Sequence, residues 1–411
     1  MPEHRARMLM TLADVAWPVD AGKRLRAASM VRAVAEHCDV DVVVLFADAD
    51  PAARPIPPDV DGRWQLIDAS PRPAARAGLD LIRHLAPWQI AVHDWPGVQR
   101  RLAARDGGYD LIWFGALDHF ARLRSTLRAP RVVVDCDDVE TEKLSRFLAL
   151  PRSAALPWAD RVQRRIERPM WGHIQRQAVR AADAVLVCSE LDRSRLIAQA
   201  APKDAAAAAR VHSIANTYPE PADVRVHEPQ GPCTLAVIAN YGTDQNLDAV
   251  HFVANQLLGP LRQAVPGARI RLVGRRADRL AEFRNIEGLD LVGPVDSVAE
   301  ELSRAHAVLV PIRFGGGTRL KIVEAFAYGV PVVSTVAGAE GIDATDGEQL
   351  LIGDTPQQIV ASVCRLLDEP GLAQRLSGAG RAVYERSYRP QATMDAVGAL
   401  LGQVLRPAAG R

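Results

Sequence analysis

The segment from Phe314 to Ser334 places three glycines before an apolar stretch that carries two charged side chains. It reads FGGGTRLKIVEAFAYGVPVVS and follows a short apolar run from Ala307 to Ile312. This pattern predicts a strand, a glycine loop, a helix with Thr318 at its N-cap, and a second strand. Glycines let a loop present backbone N–H groups, and a helix N-terminus adds unpaired amides and a positive dipole end. The segment therefore predicts a phosphate-binding site.

Lys321 and Glu324 are the two charged side chains of the predicted helix. A cation in the first turn opposes the helix dipole, so Lys321 is best explained by an anion that binds there. Glu324 follows three residues later on the same face, where it could accept hydrogen bonds from sugar hydroxyls. The alternative is a plain i,i+3 ion pair between the two side chains. The residues by themselves leave both interpretations open.

Composition limits the class of protein. A chain of 411 residues predicts two or three domains. Its 50 basic and 49 acidic residues nearly cancel, so we expect no nucleic-acid partner. Five scattered cysteines show no zinc spacing and suggest a reducing compartment. The N-terminus lacks the apolar core of a signal peptide, and no stretch reaches the roughly 18 apolar residues of a membrane span, so we expect a soluble, cytoplasmic protein.

Short β-branched runs alternate with helical patterns, and the rhythm restarts after a polar, proline-bearing stretch. This alternation predicts an α/β protein with two Rossmann-like, doubly wound domains that face a central cleft. The predicted boundaries are an N-terminal domain at 1–217, a linker at 218–232, a second domain at 233–388, and a C-terminal helix at 389–411 that packs on the first domain. The predicted strands are Asp39–Phe46, Asp110–Phe114, Arg131–Asp138, Ala184–Ser189, Thr234–Asn240, Ala268–Gly274, Leu289–Gly293 and Ala307–Ile312.

The usual nucleotide fingerprints are missing from the first loop. Between Asp14 and Arg24 the only glycine is Gly22, which excludes a GxGxxG dinucleotide motif. A P-loop is excluded because Arg24 stands where Ser or Thr is needed and Trp17 replaces the first glycine. Hydride transfer and ATP hydrolysis therefore lose support, and the phosphate site late in the chain remains.

The run from Pro311 to Ile342 closely resembles the donor-binding segment of glycosyltransferase family 4, which comprises retaining sugar transferases of the GT-B fold. The runs IANYGTDQNLDAV (238–250) and LVGPV (291–295) resemble further landmarks of the same domain. In the first half, DCDDVETEKLSR (135–146) and ADAVLVCSELDRSRL (182–196) fit the bacterial subgroup with a GGGTRLK loop. The resemblance implies an enzyme that moves a sugar from a UDP-, GDP- or dTDP-sugar to a glycan, lipid-linked or natural-product acceptor in polysaccharide or cell-envelope synthesis.

The resemblance also implies roles for individual residues. Arg319 or Lys321 would neutralise the diphosphate, Glu324 would hold the ribose, and the backbone around Gly293 would lie against the nucleobase. Gly22 would approach the donor phosphate or the acceptor. The complete implied donor set is Gly22, Arg275, Gly293, Pro294, Val295, Gly315, Gly316, Gly317, Thr318 and Glu324.

Two departures from the family pattern concern the donor site. Many members carry a sugar-binding glutamate where this chain has Gly316, although the GGGTRLK subgroup shares the loss. The basic pair that commonly binds the diphosphate early in the second domain is also not evident, and Arg275 or Arg319 would replace it. These departures leave two alternative functions open: a catalytically silent GT-B subunit that binds nucleotide, and a GT-B sugar-nucleotide epimerase.

His119 is predicted to be catalytic, because it follows the strand that ends at Phe114, where the family often has a functional histidine; a merely structural histidine is the alternative. Asp118, Asp138 and Glu140 are predicted acceptor contacts. The family places no metal at the DCDD sequence (135–138), which we expect to serve turn or acceptor contacts instead. We therefore predict no metal and no cofactor, the nucleotide sugar being a substrate.

The arginine-rich stretch at 161–180 contains Trp171 and predicts a basic helix. A solvated basic face is the simplest interpretation. The alternative is a surface that meets anionic lipid or a lipid-diphosphate acceptor, which would place the protein peripherally on the inner face of the cell membrane.

Overall fold

The structure is a computed structural model and describes residues 5–17, 19, 22–45, 54–67, 86–103, 108–149, 158–222 and 229–406. The chain divides into two compact units. The first contains the described residues up to Asn216 together with the C-terminal segment from Pro390, and the second runs from Thr217 to Arg389. Of the predicted linker at 218–232, residues 223–228 lie outside the described residues.

The first unit contains a seven-stranded sheet in the order β3-β2-β1-β4-β5-β6-β7. Every pairing in it is parallel. Most of its strands are buried on both faces, as expected for parallel strands covered by helices. The strands are β1 Ala6–Leu12, β2 Cys38–Leu45, β3 Arg63–Ile67, β4 Leu111–Phe114, β5 Arg131–Asp137, β6 Ala184–Val187 and β7 Val211–Ser213.

Nine helices of the first unit fall within its described residues. Apolar side chains from them build one core on each face of the sheet. The helices are α1 Gly22–Ala35, α2 Trp88–Ala91, α3 Trp95–Ala103, α4 Leu117–Leu123, α5 Glu140–Ala149, α6 Trp158–Ala181, α7 Glu190–Ala200, α8 Ala205–Ala208 and, from the end of the chain, α16 Pro390–Val404.

The second unit contains a six-stranded sheet in the order β10-β9-β8-β11-β12-β13, again parallel throughout. Its strands are β8 Thr234–Ile238, β9 Arg269–Val273, β10 Leu289–Gly293, β11 Ala307–Val310, β12 Val332–Ser334 and β13 Leu351–Ile352. Its helices are α9 Asp244–Phe252, α10 Leu258–Ala264, α11 Ala299–Arg304, α12 Leu320–Ala327, α13 Val336–Ala339, α14 Pro356–Asp368 and α15 Leu372–Ser387, with a π-helical turn at Val253–Leu257 and a 3-10 helix at Ala277–Phe283.

Both sheets are doubly wound, which confirms the prediction of two Rossmann-like α/β domains. In the first sheet the chain builds outward from β1 to β3 and then returns beside β1 with β4. In the second sheet it builds outward from β8 to β10 and returns beside β8 with β11. Loops diverge where the direction of winding changes, and they leave a crevice at the carboxyl ends of the two central strands. Each unit therefore has one such switch point, at β1/β4 and at β8/β11.

The last helix, α16, belongs to the core of the first unit. Val397 and Leu401 are buried in the same apolar cluster as Val31 and Val34 of α1. The helix is joined to neighbouring loops by a hydrogen bond from Thr393 Oγ1 to the carbonyl of Ala215, 3.5 Å long. The first unit therefore includes a segment that follows the second unit in sequence.

The predicted N-cap of the glycine-loop helix is wrong by one residue. Helix α12 begins at Leu320, and its N-cap is Arg319, which makes no side-chain cap hydrogen bond. Thr318 instead lies in the preceding loop, where its carbonyl accepts a hydrogen bond from the Leu320 amide. Lys321 remains in the first turn, as the sequence predicted.

Candidate functional site

The glycine loop lies at the β8/β11 switch point of the second unit. It follows β11 directly, and the loop after β8 lies beside it. Neighbouring loops are joined by backbone hydrogen bonds from Gly274 N to Gly293 O, at 2.7 Å, and from Tyr241 N to Arg275 O, at 2.9 Å. The predicted nucleobase segment and the glycine loop therefore lie at the same edge of one sheet.

Two of the three loop glycines adopt backbone conformations that disfavour other residues. The φ angle is 132° at Gly315 and 77° at Gly317. A Cβ at Gly315 would also lie 2.7 Å from Gln245 Oε1 of α9. The positive φ therefore favours glycine at position 315, whereas the flexible side chain of Gln245 could move away from a Cβ. Gly316 does not have a positive φ, and its amide belongs to the predicted donor set.

Arg319 is buried and folds back over the glycine loop. Its guanidinium donates hydrogen bonds to the carbonyl of Gly316 and, at 3.4 Å, to the carbonyl of Ala337. The predicted diphosphate contact would require this side chain to leave those carbonyls. In this conformation Arg319 stabilises the loop, and Lys321 is the cation that is better placed for the predicted contact with a diphosphate.

Lys321 is held by a neutral partner. Its ammonium group donates to Asn246 Oδ1 at 3.0 Å, and Asn246 Nδ2 donates to the carbonyl of Asn240 at 2.7 Å. Burial lowers the pKa of Lys321 to about 7, and the neighbouring Arg319 lowers it further, while Glu324 raises it. A partly buried cation whose hydrogen-bond partner is neutral gains from an anionic ligand. An anion such as a phosphate would be stabilised at this position.

Glu324 is held by a hydroxyl. Tyr218 donates its phenolic hydrogen to Glu324 Oε1 at 2.5 Å. Burial raises the pKa of Glu324 to about 7, against the opposite effects of Tyr218 and Lys321. Tyr218 is itself fixed by Tyr384, whose hydroxyl donates to its carbonyl at 3.2 Å, and by Tyr388, whose carbonyl accepts from its amide at 3.0 Å.

The plain i,i+3 ion pair is not what the structure shows. Lys321 and Glu324 each take a different partner, Asn246 and Tyr218. Sequence reasoning missed both partners. The sequence offered one signal for the partner of Lys321: the polar residue Asn246 lies on the side of α9 that is buried.

A further contact that could not be predicted from the sequence fixes the start of the glycine loop. Arg313, just after β11, makes a two-pronged ion pair with Asp248 of α9, with 2.9 Å from Nε to Oδ2. Asp248 is buried, and the Arg313 guanidinium also lies 5.2 Å from the ring centre of Phe252. This pair ties the loop to the same helix that carries Asn246.

The remaining predicted donor residues of this unit lie at the same edge. Gly293 is buried at the end of β10 with a φ of 83°, whereas Pro294 is exposed and Val295 is partly buried. Arg275 is partly buried in the loop after β9, beside Gly274. Within the second unit the structure therefore places these predicted donor residues at one edge of the sheet. Gly22 belongs to the first unit, where it begins α1 and is exposed.

The first unit has a cavity of about 190 Å³ at its own switch point, β1/β4. Charged side chains dominate its polar lining, with more carboxylates than cations. Asp118, Asp138 and Glu140, the predicted acceptor contacts, all line it. The other charged side chains of the lining are Asp14, Lys23, Arg26, Asp135, Asp137 and Lys143.

A buried ion pair forms the floor of this cavity. Arg26 donates to both oxygens of Asp135, with 2.7 Å for the shortest contact, and to Asn216 Oδ1 at 2.6 Å. Although burial disfavours the cation, Asp135 and Asp137 raise the pKa of Arg26. Asp137 adopts a left-handed φ of 54° at an irregularity in the β5–β6 pairing. Its carboxylate accepts from Asn216 Nδ2 at 3.1 Å.

Asp138 and Glu140 share one lysine at the cavity wall. Lys143 Nζ lies 3.2 Å from Glu140 Oε1 and 3.7 Å from Asp138 Oδ2. Glu140, against the effect of burial, raises the pKa of Lys143, and Asp138 adds to this. Asp118 stands in the first turn of α4, where its carboxylate accepts from the amide of His119 at 3.0 Å. These carboxylates are therefore held mainly by internal partners.

His119 is fully buried and does not line the cavity. Its Nδ1 lies 2.9 Å from Thr11 Oγ1, and its ring meets Trp95 edge to face at 6.1 Å. Burial lowers the pKa of His119, so its neutral form is favoured. Gly115 fits closely above β1, where a Cβ would lie 2.2 Å from the Thr11 carbonyl. In this conformation His119 can act on a ligand only through its neighbours, as a positioning residue.

One group in the described residues has the spacing of a metal site. Ligand atoms of Asp137, Asp138 and Cys188 lie within 4.8 Å of one another. Burial raises the pKa of the Cys188 thiol well above its ordinary value, which disfavours the thiolate that metals bind. The two carboxylates already face cations, with 3.6 Å from Arg26 to Asp137 and 3.7 Å from Lys143 to Asp138. These three side chains are therefore better explained as part of an internally balanced cluster of charges than as the ligands of a metal ion.

The basic stretch at 161–180 forms the larger part of α6. Trp171, which lies within it, is buried in the core of the first unit. No helix among the described residues combines the length and the low polarity that a membrane span requires.

Two solved structures share the fold over nearly the whole chain. HepE from Anabaena, solved in complex with UDP-glucose, is 14% identical, and the match covers 97% of this chain and 100% of HepE with a TM-score of 0.62. Sucrose-phosphate synthase from Thermosynechococcus elongatus is 16% identical, and the match covers 97% of this chain and 99% of that one with a TM-score of 0.66. The predicted GT-B fold class is confirmed.

A curated relative matches part of the chain. Exopolysaccharide phosphotransferase SCO2592 from Streptomyces coelicolor is 28% identical over an alignment of 222 residues, and the match covers 51% of this chain. The match spans about a fifth, 22%, of the length of that relative.

The family match falls on the second unit. Residues 232–369 match the protein family described as Glycosyl transferases group 1. The matched range begins just before β8, ends just after α14, and includes the glycine loop, Lys321 and Glu324. The prediction of a glycosyltransferase is confirmed at this level: residues 232–369 form a glycosyl transferase group 1 domain.

Proposed function

We propose that this protein is a retaining glycosyltransferase of family 4, with the GGGTRLK donor loop, that transfers a sugar from a nucleotide-sugar donor to an acceptor hydroxyl. The observation that carries this proposal is the arrangement at the β8/β11 switch point. There a glycine loop, a lysine whose hydrogen-bond partner is neutral and a partly buried glutamate lie together in a group 1 domain. The UDP-glucose bound to HepE makes UDP-sugars the first donors to test, with GDP- and dTDP-sugars beside them.

The donor would bind with its diphosphate at the loop and its ribose at Glu324. Backbone amides from Gly316 to Thr318 and the Lys321 ammonium group would bind the diphosphate oxygens. Glu324 would accept hydrogen bonds from the ribose hydroxyls, exchanging its contact with Tyr218 for them. Gly293, Pro294 and Val295 would face the nucleobase.

In the proposed reaction the bond from the anomeric carbon to the diphosphate oxygen breaks, and a bond to the acceptor oxygen forms on the same face of the sugar. Charge builds on the departing diphosphate, which takes up the acceptor hydroxyl proton. Stabilisation of that charge is the largest demand on the protein. Lys321 and the loop amides would meet it, so we propose that the transfer needs no metal. Activity should then survive EDTA.

The acceptor would bind in the cavity of the first unit, where Asp118, Asp138 and Glu140 can accept hydrogen bonds from sugar hydroxyls. A glycan, a lipid-linked sugar or a hydroxylated natural product would provide such groups. We propose a cytoplasmic location, with synthesis of a polysaccharide or another cell-envelope glycan as the setting.

Calorimetry with UDP tests the donor site directly. Because the pKa of Lys321 is about 7, this side chain is mostly neutral at about pH 8, and a bound diphosphate should raise its pKa. Titration in buffers of different ionisation enthalpy should therefore show uptake of nearly one proton per UDP. Lys321→Arg is the matched control, because arginine stays charged and should bind UDP without proton uptake. No uptake in the wild type, or equal uptake in Lys321→Arg, would contradict the assignment.

Turnover of a panel of nucleotide sugars tests the reaction. Release of UDP in the presence of an acceptor, with retained anomeric configuration in the product, is the expected outcome. UDP binding without turnover would favour a silent binding subunit, and isomerised donor without any acceptor would favour an epimerase.

A further inference from the structure

The first half of helix α6 exposes a row of apolar side chains. Trp158 is 78% exposed, Val162 48% and Ile166 51%. They are spaced by four residues, so they lie along one face of the helix. Isolated exposed apolar residues are common on proteins, but three in a row, one of them tryptophan, form a stripe.

Exposed arginines run along the same face. Arg165 follows Trp158 by seven residues, or two helical turns, and Arg168 flanks the stripe. Arg176 lies further along the same helix, beyond Pro169. All three side chains are exposed. We name the set Trp158, Val162, Arg165, Ile166, Arg168 and Arg176 the outer stripe of α6.

The acidic residues of this half of the helix face away from the outer stripe. Glu167 is buried and accepts hydrogen bonds from the amide of Trp88, at 2.8 Å, and from Gln163 Nε2, at 2.9 Å. Asp160 lies two residues after Trp158, which places it on the far side of the helix. The exposed face is therefore apolar and cationic, although the whole chain has a net charge of only +1.

The opposite face anchors the helix to the first unit. Trp171, Ile174 and Ala178 are buried in the core. Arg164 lies over the ring of Phe147, 3.6 Å from its centre. The outer stripe is thus a fixed surface, and its exposure does not come from a loosely held helix.

We propose that the outer stripe of α6 docks on an anionic lipid bilayer. Val162 and Ile166 would enter the boundary between headgroups and acyl chains, Trp158 would lie at headgroup level, and the arginines would contact lipid phosphates. Among the described residues of α6, an apolar strip lies next to cations and no acidic side chain is exposed, which matches this surface in both chemistry and charge. The attachment is peripheral. It goes beyond sugar transfer, because it depends on no residue of either switch point.

Vesicle flotation with the full-length protein tests the proposal. The protein should float with vesicles of phosphatidylcholine and phosphatidylglycerol at about 3:1, remain unbound with pure phosphatidylcholine, and be released by high salt. Replacing Arg165, Arg168 and Arg176 together with Gln should lower the partition coefficient about 100-fold, since each arginine near such a surface contributes about fivefold. Val162→Glu should also abolish binding.

Leu191→Glu is the matched control, because Leu191 is 40% exposed on α7 of the same unit. It should bind vesicles like the wild type. UDP binding and thermal unfolding, measured for every variant, check that each one is folded. The triple glutamine variant keeps the test valid if a glutamate variant fails to fold.

Absence of flotation with anionic vesicles overturns the proposal, and so does binding that survives both the Val162→Glu and the triple glutamine changes. If the wild type instead forms a dimer that Val162→Glu dissociates, and neither form floats, the outer stripe is an interface between two copies of the chain.

Discussion

The two switch points use similar topology but hold their charges differently. In the first unit Arg26 and Lys143 are each paired with carboxylates, so the cations are neutralised within the protein. In the second unit Lys321 and Glu324 are each held by an uncharged group, an amide and a phenol. A charge that is balanced internally contributes to the fold, whereas one held by a neutral partner still gains from a ligand. The contrast predicts that changes in the first unit mainly affect stability and that changes in the second mainly affect binding.

The largest effect should come from breaking the buried pair of the first unit. Arg26→Met leaves Asp135 and Asp137 without their cation and should lower the free energy of unfolding by about 3–5 kcal/mol. Urea unfolding measures this. Arg32→Met is the matched control: its partner Asp59 is exposed, so the expected loss is below about 1 kcal/mol. Equal losses in the two variants would contradict the contrast.

Removing the cation of the second unit should weaken nucleotide binding without unfolding the protein. Lys321→Ala should raise the Kd for UDP about 10- to 100-fold, since hydrogen bonds to charged groups contribute about 1.5–3 kcal/mol. Lys143→Ala removes a lysine from the first unit and should leave UDP affinity within about twofold. Calorimetry on both variants checks this. If the two lysine variants lose equal affinity, the assignment of the diphosphate to the second unit is wrong.

The joint contribution of Lys321 and Glu324 to stability should pass through a minimum near neutral pH. The pKa of Glu324 is raised from 4.5 to about 7, so the folded protein binds more protons than the unfolded chain between these values. The stability that Glu324 contributes is therefore present at low pH and is lost as the pH rises to about 7. The pKa of Lys321 is lowered from 10.5 to about 7, so the unfolded chain binds more protons between these values and stability rises with pH there.

Thermal unfolding from about pH 5 to pH 10 tests this minimum. The difference between wild type and the double variant Lys321→Met, Glu324→Gln should trace it, because the double variant titrates at neither position. A difference that does not change with pH would show that these two groups keep their ordinary pKa values.

The smallest effect is expected from Tyr218→Phe. Its hydroxyl donates to Glu324 and favours the carboxylate, so its loss should raise the pKa of Glu324 further. UDP affinity should then fall a few-fold at about pH 6.5 and recover at about pH 8.5, where the carboxylate is again ionised. Glu324→Gln should show weak binding at both pH values, and a loss in Tyr218→Phe that does not recover would assign Tyr218 a purely structural role.

Much of the fold could be predicted from local patterns. Strands that are buried on both faces are usually continuous apolar runs, so β4, β6, β11 and the second half of β2 could be predicted from the sequence. The exposed edge strand β3 shows no such run, because only Ile67 of its five residues is buried. The candidate site of the second unit could be predicted from the sequence because the glycine loop, Lys321 and Glu324 lie in one short segment.

The partners of these residues could not be predicted, because topology brings them together. Asn246 lies 75 residues from Lys321, and Tyr218 lies 106 residues from Glu324. In the first unit, 109 residues separate Arg26 from Asp135. His119 could be placed after its strand, but its burial against Thr11 and Trp95 depends on side chains that are distant in sequence.

The return of α16 to the first unit makes the second unit an insertion. The chain enters it at Thr217 and leaves it at Arg389, and the two ends lie side by side, joined by the hydrogen bond from Tyr218 N to Tyr388 O at 3.0 Å. A fragment from Thr217 to Arg389 should therefore be excisable with adjacent termini and could be tested as a separate nucleotide-binding domain. The first unit cannot be obtained by truncation at Asn216, because it would lose α16. It would require a short linker that reconnects Asn216 to Pro390.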